Sequence, residues 1–205
     1  MQNCKHPRLL CLIITLGGIL IDQLTKLIVA TRMDLYESIP IIRDALHITY
    51  IHNRGAAFGM LADNRWIFIV VSLITIAVII GYLLLSKTRD TLTVVSLSMI
   101  LSGGIGNMID RLALGYVVDF IDFCLIDFAI FNGADSFVCV GAALFFLAVL
   151  LEARREQLAE RAKKAAAVAE AEQSEPTEAT EVEVTEDTPS DGSVAEPTED
   201  TCHDA

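Results

Sequence analysis

Five aspartates, Asp110, Asp119, Asp122, Asp127 and Asp135, fall in or at the end of a stretch from Gly103 to Asp135 that is otherwise as apolar as a membrane span. Ionisable groups near bilayer depth are costly and usually face a protein interior, a partner or a water-filled cavity. Chemistry is therefore expected here first. Asp119 follows two valines and precedes Phe-Ile, and a partly apolar site disfavours a charged carboxylate. Asp135 lies three residues after Asn132, a spacing that resembles a capping box, and a helix amino terminus favours negative charge. A plain helix cap is the competing reading of Asp135. Brought together, the two carboxyls would share a proton near neutral pH through like-charge repulsion. A carboxylate that takes a proton from water, beside an acid that gives one to a carbonyl oxygen or leaving amine, is the equipment of an aspartic protease.

Other constellations are secondary. Asp22 and Lys26 stand one helical turn apart, acid first, the favourable order for an ion pair. Gly103, Asn107 and Arg111 recur at i, i+4 and i+8 with Asp110 alongside, which suits close helix packing around buried polar groups. The segment S-G-G-I-G-N lacks a preceding strand and a complete nucleotide-binding pattern. His47 and His52 lie in a strand-like segment and His6 and His203 near the ends, so no Ser/His/Asp or Cys/His arrangement is persuasive. The cysteines at 4, 11, 124, 139 and 202 show neither C-x-x-C nor pairing with His at metal spacing, so no metal, cofactor or disulfide framework is expected.

The elements that must position these residues are membrane spans. With 53% hydrophobic residues and a mean hydropathy of +0.52, the 205-residue chain is too apolar for an ordinary soluble domain. Uncharged or nearly uncharged runs predict four helices, from Leu9 to about Ala30, Trp66 to Ser86, Thr91 to Ile109 and about Ala134 to Leu151. The first is read as an uncleaved span, because no convincing cleavage site follows it. Between the first two, the alternating L-H-I-T-Y-I from Leu46 to Ile51 predicts strands, hence a small extracytoplasmic β platform over residues 31–65. The fold class is an all-α polytopic membrane protein carrying that platform.

The formal charge of −12 misleads about the body of the chain. Thirteen of the 27 acids lie from Glu170 onward, where there is no Lys or Arg, leaving 14 acids against all 15 bases. The domain organisation expected is a membrane domain over residues 1–169 and a disordered acidic cytoplasmic tail over 170–205, with a helix-favouring stretch from Glu152 to about Glu172 extending span four. Nine basic residues flank the two termini and the 87–90 turn, against six on the opposite side, which predicts both termini in the cytoplasm. Asp22, Lys26, Asn53, Arg111, Asp119 and Asp135 would then gather near the outer face.

Five blocks in order, D-Q-L-T-K at 22–26, N-R-G-A-A-F at 53–58, G-N-M-I-D-R at 106–111, V-V-D-F at 117–120 and F-N-G-A-D-S at 131–136, resemble those of the lipoprotein signal peptidases. The resemblance covers about residues 9–153. It implies an aspartic endopeptidase of the bacterial inner membrane that removes the signal peptide of a prolipoprotein before a diacylglyceryl-modified cysteine. Asp119 and Asp135 fall on the family's catalytic dyad. Asp22, Lys26, Asn53, Gly55, Asn107, Asp110, Arg111, Asn132 and Ala134 fall on motif positions that support the dyad or line the substrate pocket. One departure is Ser102-Gly103-Gly104-Ile105, where the family more often has two glycines, an alanine and one further residue before G-N. The partners implied are prolipoproteins and membrane lipid, with no nucleic acid, and a monomer is expected.

Two rival classes remain in view. A metal-dependent lipid headgroup transferase would use the aspartates as oxygen ligands for a divalent cation. A proton-coupled transporter would place its ionisable groups near the bilayer midplane in broken helices, whereas here they cluster at one end.

Overall fold

Four segments long and apolar enough to cross a membrane are helical in the computed structural model, which describes residues 5–55, 65–86, 90–126 and 128–174. They are α1 (Pro7–Arg32), α2 (Arg65–Leu85), α3 (Thr91–Ala113) and α4 (Gly133–Ser174). Pro7 opens α1, where the missing N–H costs nothing. Asp90 caps α3 by accepting from Thr93 N at 2.9 Å. The expected spans agree with these helices to within a few residues at most ends.

The central helix is α3: half of its apolar window is buried, against 17–28% for the other three. Small residues allow the close approach. A methyl group on Gly103 would run into the Ala134 carbonyl of α4, and one on Gly141 would meet the Ser96 carbonyl of α3 at 2.8 Å. Ile76 and Ile79 of α2 pack with Leu97 and Leu101 of α3. The rest of α2 turns residues such as Val70, Leu73, Ile74 and Val78 outward, as a helix solvated by lipid should.

A three-stranded antiparallel sheet in the order β1-β2-β3 forms the platform, from β1 (Ser38–Ile42), β2 (Leu46–Asn53) and β3 (Val117–Asp122). The alternating segment is indeed β2. The platform is not confined to residues 31–65, however, because its third strand comes from V-V-D-F-I-D between the last two spans. Val117, Val118, Asp119 and Phe120 are all buried, so this strand has no alternation to advertise it. Val118 and Phe120 pack with Tyr50 and with Val29 of α1, fastening the sheet to the end of that helix.

Gly115, at φ 84°, ends α3 in the left-handed conformation, with the N–H groups of Leu114 and Gly115 on the Asp110 carbonyl at 2.8 and 3.3 Å. The chain therefore turns directly into β3. After a short 3-10 turn (Cys124–Ile126), Phe131 returns to β3 and exchanges backbone hydrogen bonds with Ile121 at 2.8 and 3.1 Å. This delivers the start of α4 to the side of Asp119.

The chain divides into two units, Met1–Ala159 and Glu160–Ala205. In the second, the described part is helical, with an exposed Glu160–Lys164 pair at 3.1 Å. The helix reaches Ser174, as the stretch after Glu152 predicts, and so takes in the first five residues assigned to the tail. The disorder expected for residues 175–205 lies outside the described residues, as do Ala56, Ala57, Phe58 and Asp127.

Candidate active site

The site is built from α1, α3, α4 and two strands, and its lowest layer is a buried ion cluster. Lys26 reaches Asp22 Oδ2 at 2.9 Å, one turn away as expected, and also Asp110 Oδ2 of α3 at 3.0 Å. Its Nζ donates a further hydrogen bond to Asn107 Oδ1 at 2.8 Å. Asp22 is fully buried, and its other oxygen accepts the Ala134 N–H of α4 at 2.9 Å. Asp110 accepts the Val118 N–H of β3 at 3.2 Å. One ammonium and two carboxylates thus join three helices and the strand. Buried charges persist only when paired and hydrogen-bonded in this way.

Asn107 carries this order upward: its Oδ1 is held by Lys26, while its Nδ2 donates to Asp135 Oδ1 at 2.7 Å. Asn132 and Asp135 form the predicted reciprocal cap, with Asp135 N on Asn132 Oδ1 at 3.0 Å and Asn132 N on Asp135 Oδ2 at 3.3 Å. The Asn132 side chain does more than cap. Its Nδ2 donates to Asp119 Oδ1 at 2.6 Å and to Asn107 Oδ1 at 3.1 Å, so one amide links both carboxyl residues. Asn53, at the end of β2, donates to Asp119 Oδ2 at 2.8 Å and turns the chain by accepting the Gly55 N–H at 2.9 Å.

Asp119 and Asp135 line one cleft of about 120 Å³, with Asn53, Gly55, Asn107 and Arg111 around them and Phe128 to Phe131 as a wall. Burial, reinforced by the charge of Asp135, pushes the Asp119 carboxyl up to about 6 against the lowering effect of the Asn53 and Asn132 hydrogen bonds. The direction is the one its apolar flanks predict. Arg111 lies over the Phe68 ring, 5.1 Å from its centroid, and donates to the Asn107 carbonyl at 3.4 Å. Ala134 is completely buried where α4 meets α3.

All eleven residues singled out from the sequence converge on this cluster and cleft, while Asp122 turns away to bond Thr49 at 2.7 Å. Gln23 was missed: its Nε2 lies on Asp22 Oδ2, the Gly106 carbonyl and Asp110 Oδ1 at 3.0–3.2 Å. An amide inside an apolar span was the available signal. Gly106 was missed too, although a methyl group there would collide with Asp22 Oδ2 at 2.5 Å.

Four helices long and apolar enough to cross a membrane bring two carboxyl residues, one from the sheet and one from the start of α4, to a single cleft, an arrangement suited to hydrolysis by proton transfer. Comparison with known proteins agrees. The family described as Signal peptidase (SPase) II matches residues 14–151. The lipoprotein signal peptidase of Halothermothrix orenii is 46% identical over 66% of this chain and 91% of its own length. That of Symbiobacterium thermophilum is 43% identical over 72% and 98%. A bacterial membrane enzyme solved by the in meso method at 2.3 Å resolution superimposes with a TM-score of 0.69 at 32% identity, covering 75% of this chain and 94% of that one. The chain belongs to the signal peptidase II family, and is a multi-pass membrane protease of the lipoprotein-processing type.

Proposed function

We propose that this chain is an aspartic endopeptidase of the bacterial inner membrane that cuts prolipoproteins immediately before a diacylglyceryl-modified cysteine, with Asp119 and Asp135 as the catalytic pair. The observation that carries the reading is the Asn132 side chain, which joins the two carboxyl residues at the wall of a single cleft. In the resting enzyme the pair holds one proton. The ionised member takes a proton from water as the hydroxyl attacks the scissile carbonyl carbon, and the protonated member gives its proton to the carbonyl oxygen. As the C–N bond breaks, a proton passes to the departing amine nitrogen. Because coupled carboxyls titrate as a pair, both limbs of the pH profile belong to the dyad.

Asp22, Lys26, Asp110 and Ala134 act beneath the dyad by fixing α1, α3, α4 and β3 relative to one another. Asn53, Gly55, Asn107 and Arg111 line the substrate pocket, and Asn132 supports the pair from behind it. Both termini lie in the cytoplasm, in keeping with the distribution of basic residues, and the cleft opens near the outer face. The signal peptide enters from the bilayer while the acyl chains on the cysteine stay in lipid. The peptidase domain is residues 1–169, it acts as a monomer, and the acidic segment 170–205 takes no part in turnover.

The test is incubation of purified protein with a diacylglyceryl-modified prolipoprotein and with the same substrate lacking the lipid, both in EDTA. Release of the signal peptide from the lipidated form alone is expected. No release, or release that needs a divalent cation, would sink the reading in favour of another site.

A further inference from the structure

The platform brings together three side chains of metal-ligand type that lie far apart in the sequence. His47 at the start of β2 pairs directly with Asp122 at the end of β3, and Cys124 opens the 3-10 turn two residues later. A ring nitrogen of His47, a carboxylate oxygen of Asp122 and Cys124 Sγ all lie within 4.8 Å of one another. Asp119 and Asp122 are three residues apart on β3, so by strand alternation they point to opposite faces. The cluster is therefore separate from the cleft.

We propose that His47, Asp122 and Cys124 form a binding site for zinc. An imidazole, a carboxylate and a thiolate together suit a borderline-soft ion, whereas magnesium and calcium take oxygen ligands. The carboxylate and thiolate also balance a double positive charge once the thiol has lost its proton. A tetrahedral zinc site with bonds of roughly 2.0–2.3 Å needs ligand atoms about 3.3–3.8 Å apart. All three separations are within 4.8 Å, so no pair needs to close by more than about 1.5 Å. The exposed Cys124 thiol, which donates to the Asp122 carbonyl at 3.9 Å, would exchange that weak contact for the metal. Three protein ligands leave the fourth position to water.

The outer layer is already assembled. Ser38 Oγ of β1 lies 3.3 Å from His47 Nδ1 and 2.8 Å from Thr49 Oγ1, and Thr49 donates to Asp122 Oδ2 at 2.7 Å. This chain of hydroxyls orients the imidazole and the carboxylate together, the role that supporting groups play behind metal ligands. Zinc would pin the turn at 124–126 to β2. That turn leads into Phe128 to Phe131, the wall of the cleft, so occupancy would stiffen the wall without entering the site.

The experiment uses the full chain in lipid nanodiscs, stripped with EDTA and titrated with cobalt as a spectroscopic probe, then with zinc. One equivalent of cobalt should give a thiolate charge-transfer band together with the intense visible bands of four-coordinate cobalt, and zinc should abolish both. Cys124→Ser should remove the charge-transfer band, and His47→Ala should weaken binding at least tenfold. Thr49→Val, which removes only the supporting hydroxyl, should weaken it about tenfold. Cys202→Ser with His203→Ala should change nothing. Each variant's fold is checked by unfolding in the metal-free state. Absence of saturable one-to-one binding in the parent, or binding of parental strength in Cys124→Ser or His47→Ala, would overturn the proposal whatever the peptidase assay shows.

Discussion

Two pairs of aspartates lie close together in the membrane unit and are held in opposite ways. Asp22 and Asp110 share the Lys26 ammonium, and each spends another contact on a backbone N–H of α4 or β3. Asp119 and Asp135 receive side-chain hydrogen bonds from the amides of Asn53, Asn132 and Asn107, without an ion pair among the described residues. The ammonium holds two carboxylates by ion pairs and ties their helices together. Amides position a carboxyl yet leave its charge open to change, which is what proton transfer requires. The residue type is the same in both layers; the partner decides whether it braces the fold or is available for chemistry.

The sharpest way to break this comparison is to neutralise one aspartate from each layer. Asp119→Asn or Asp135→Asn should lower cleavage by about 10³-fold or more while the protein stays folded and inserted, since the proposed mechanism gives each half of the proton traffic. The double variant should be little worse than either single, because residues that act as one unit are strongly non-additive. Near-parental turnover in either single variant would remove the dyad. Lys26→Met should instead act on stability. It strands two buried carboxylates, and losing one partner of a buried pair costs about 3–5 kcal/mol. Unfolding in nanodiscs should show this, and a variant as stable as the parent would show that the cluster is not the brace described.

A smaller effect separates helix spacing from charge. Gly103→Ala pushes a methyl group against the Ala134 carbonyl and should destabilise by about 1–3 kcal/mol, read from the same unfolding measurement. An unchanged midpoint would mean that α3 and α4 have room to separate.

The subtlest prediction concerns the titrating layer. The Asp119 carboxyl, pushed up to about 6, holds its proton below that pH and loses it above. With Asp119 as the proton-donating member, kcat/KM should fall as pH rises through about 6. The Asn53 hydrogen bond favours the ionised form, so Asn53→Ala should move this limb to higher pH, and a limb that stays put or moves down would contradict the assignment. In metal-free protein Asp122→Asn, whose side chain faces Thr49 rather than the cleft, should keep activity within about twofold, the ordinary range for a substitution that touches no cleft residue.

Whatever depends on covalent spacing was legible along the chain. Uncharged or nearly uncharged runs of about 20 residues sufficed for the spans because bilayer thickness alone sets that length. The Asp22–Lys26 pair and the Asn132–Asp135 cap could be read because the helix repeat places those atoms together without help from the rest of the molecule. Packing decided the remainder. Lys26 meets Asn107 and Asp110 only because glycines let α3 sit close beside its neighbours, and Asn132 meets Asp119 only because Phe131 pairs back onto β3. That third strand escaped notice because burial on both faces erases the alternation that marks a strand. His47 and Cys124 likewise stand far apart along the chain and close together on the sheet, since strand register, and not sequence distance, determines which side chains meet.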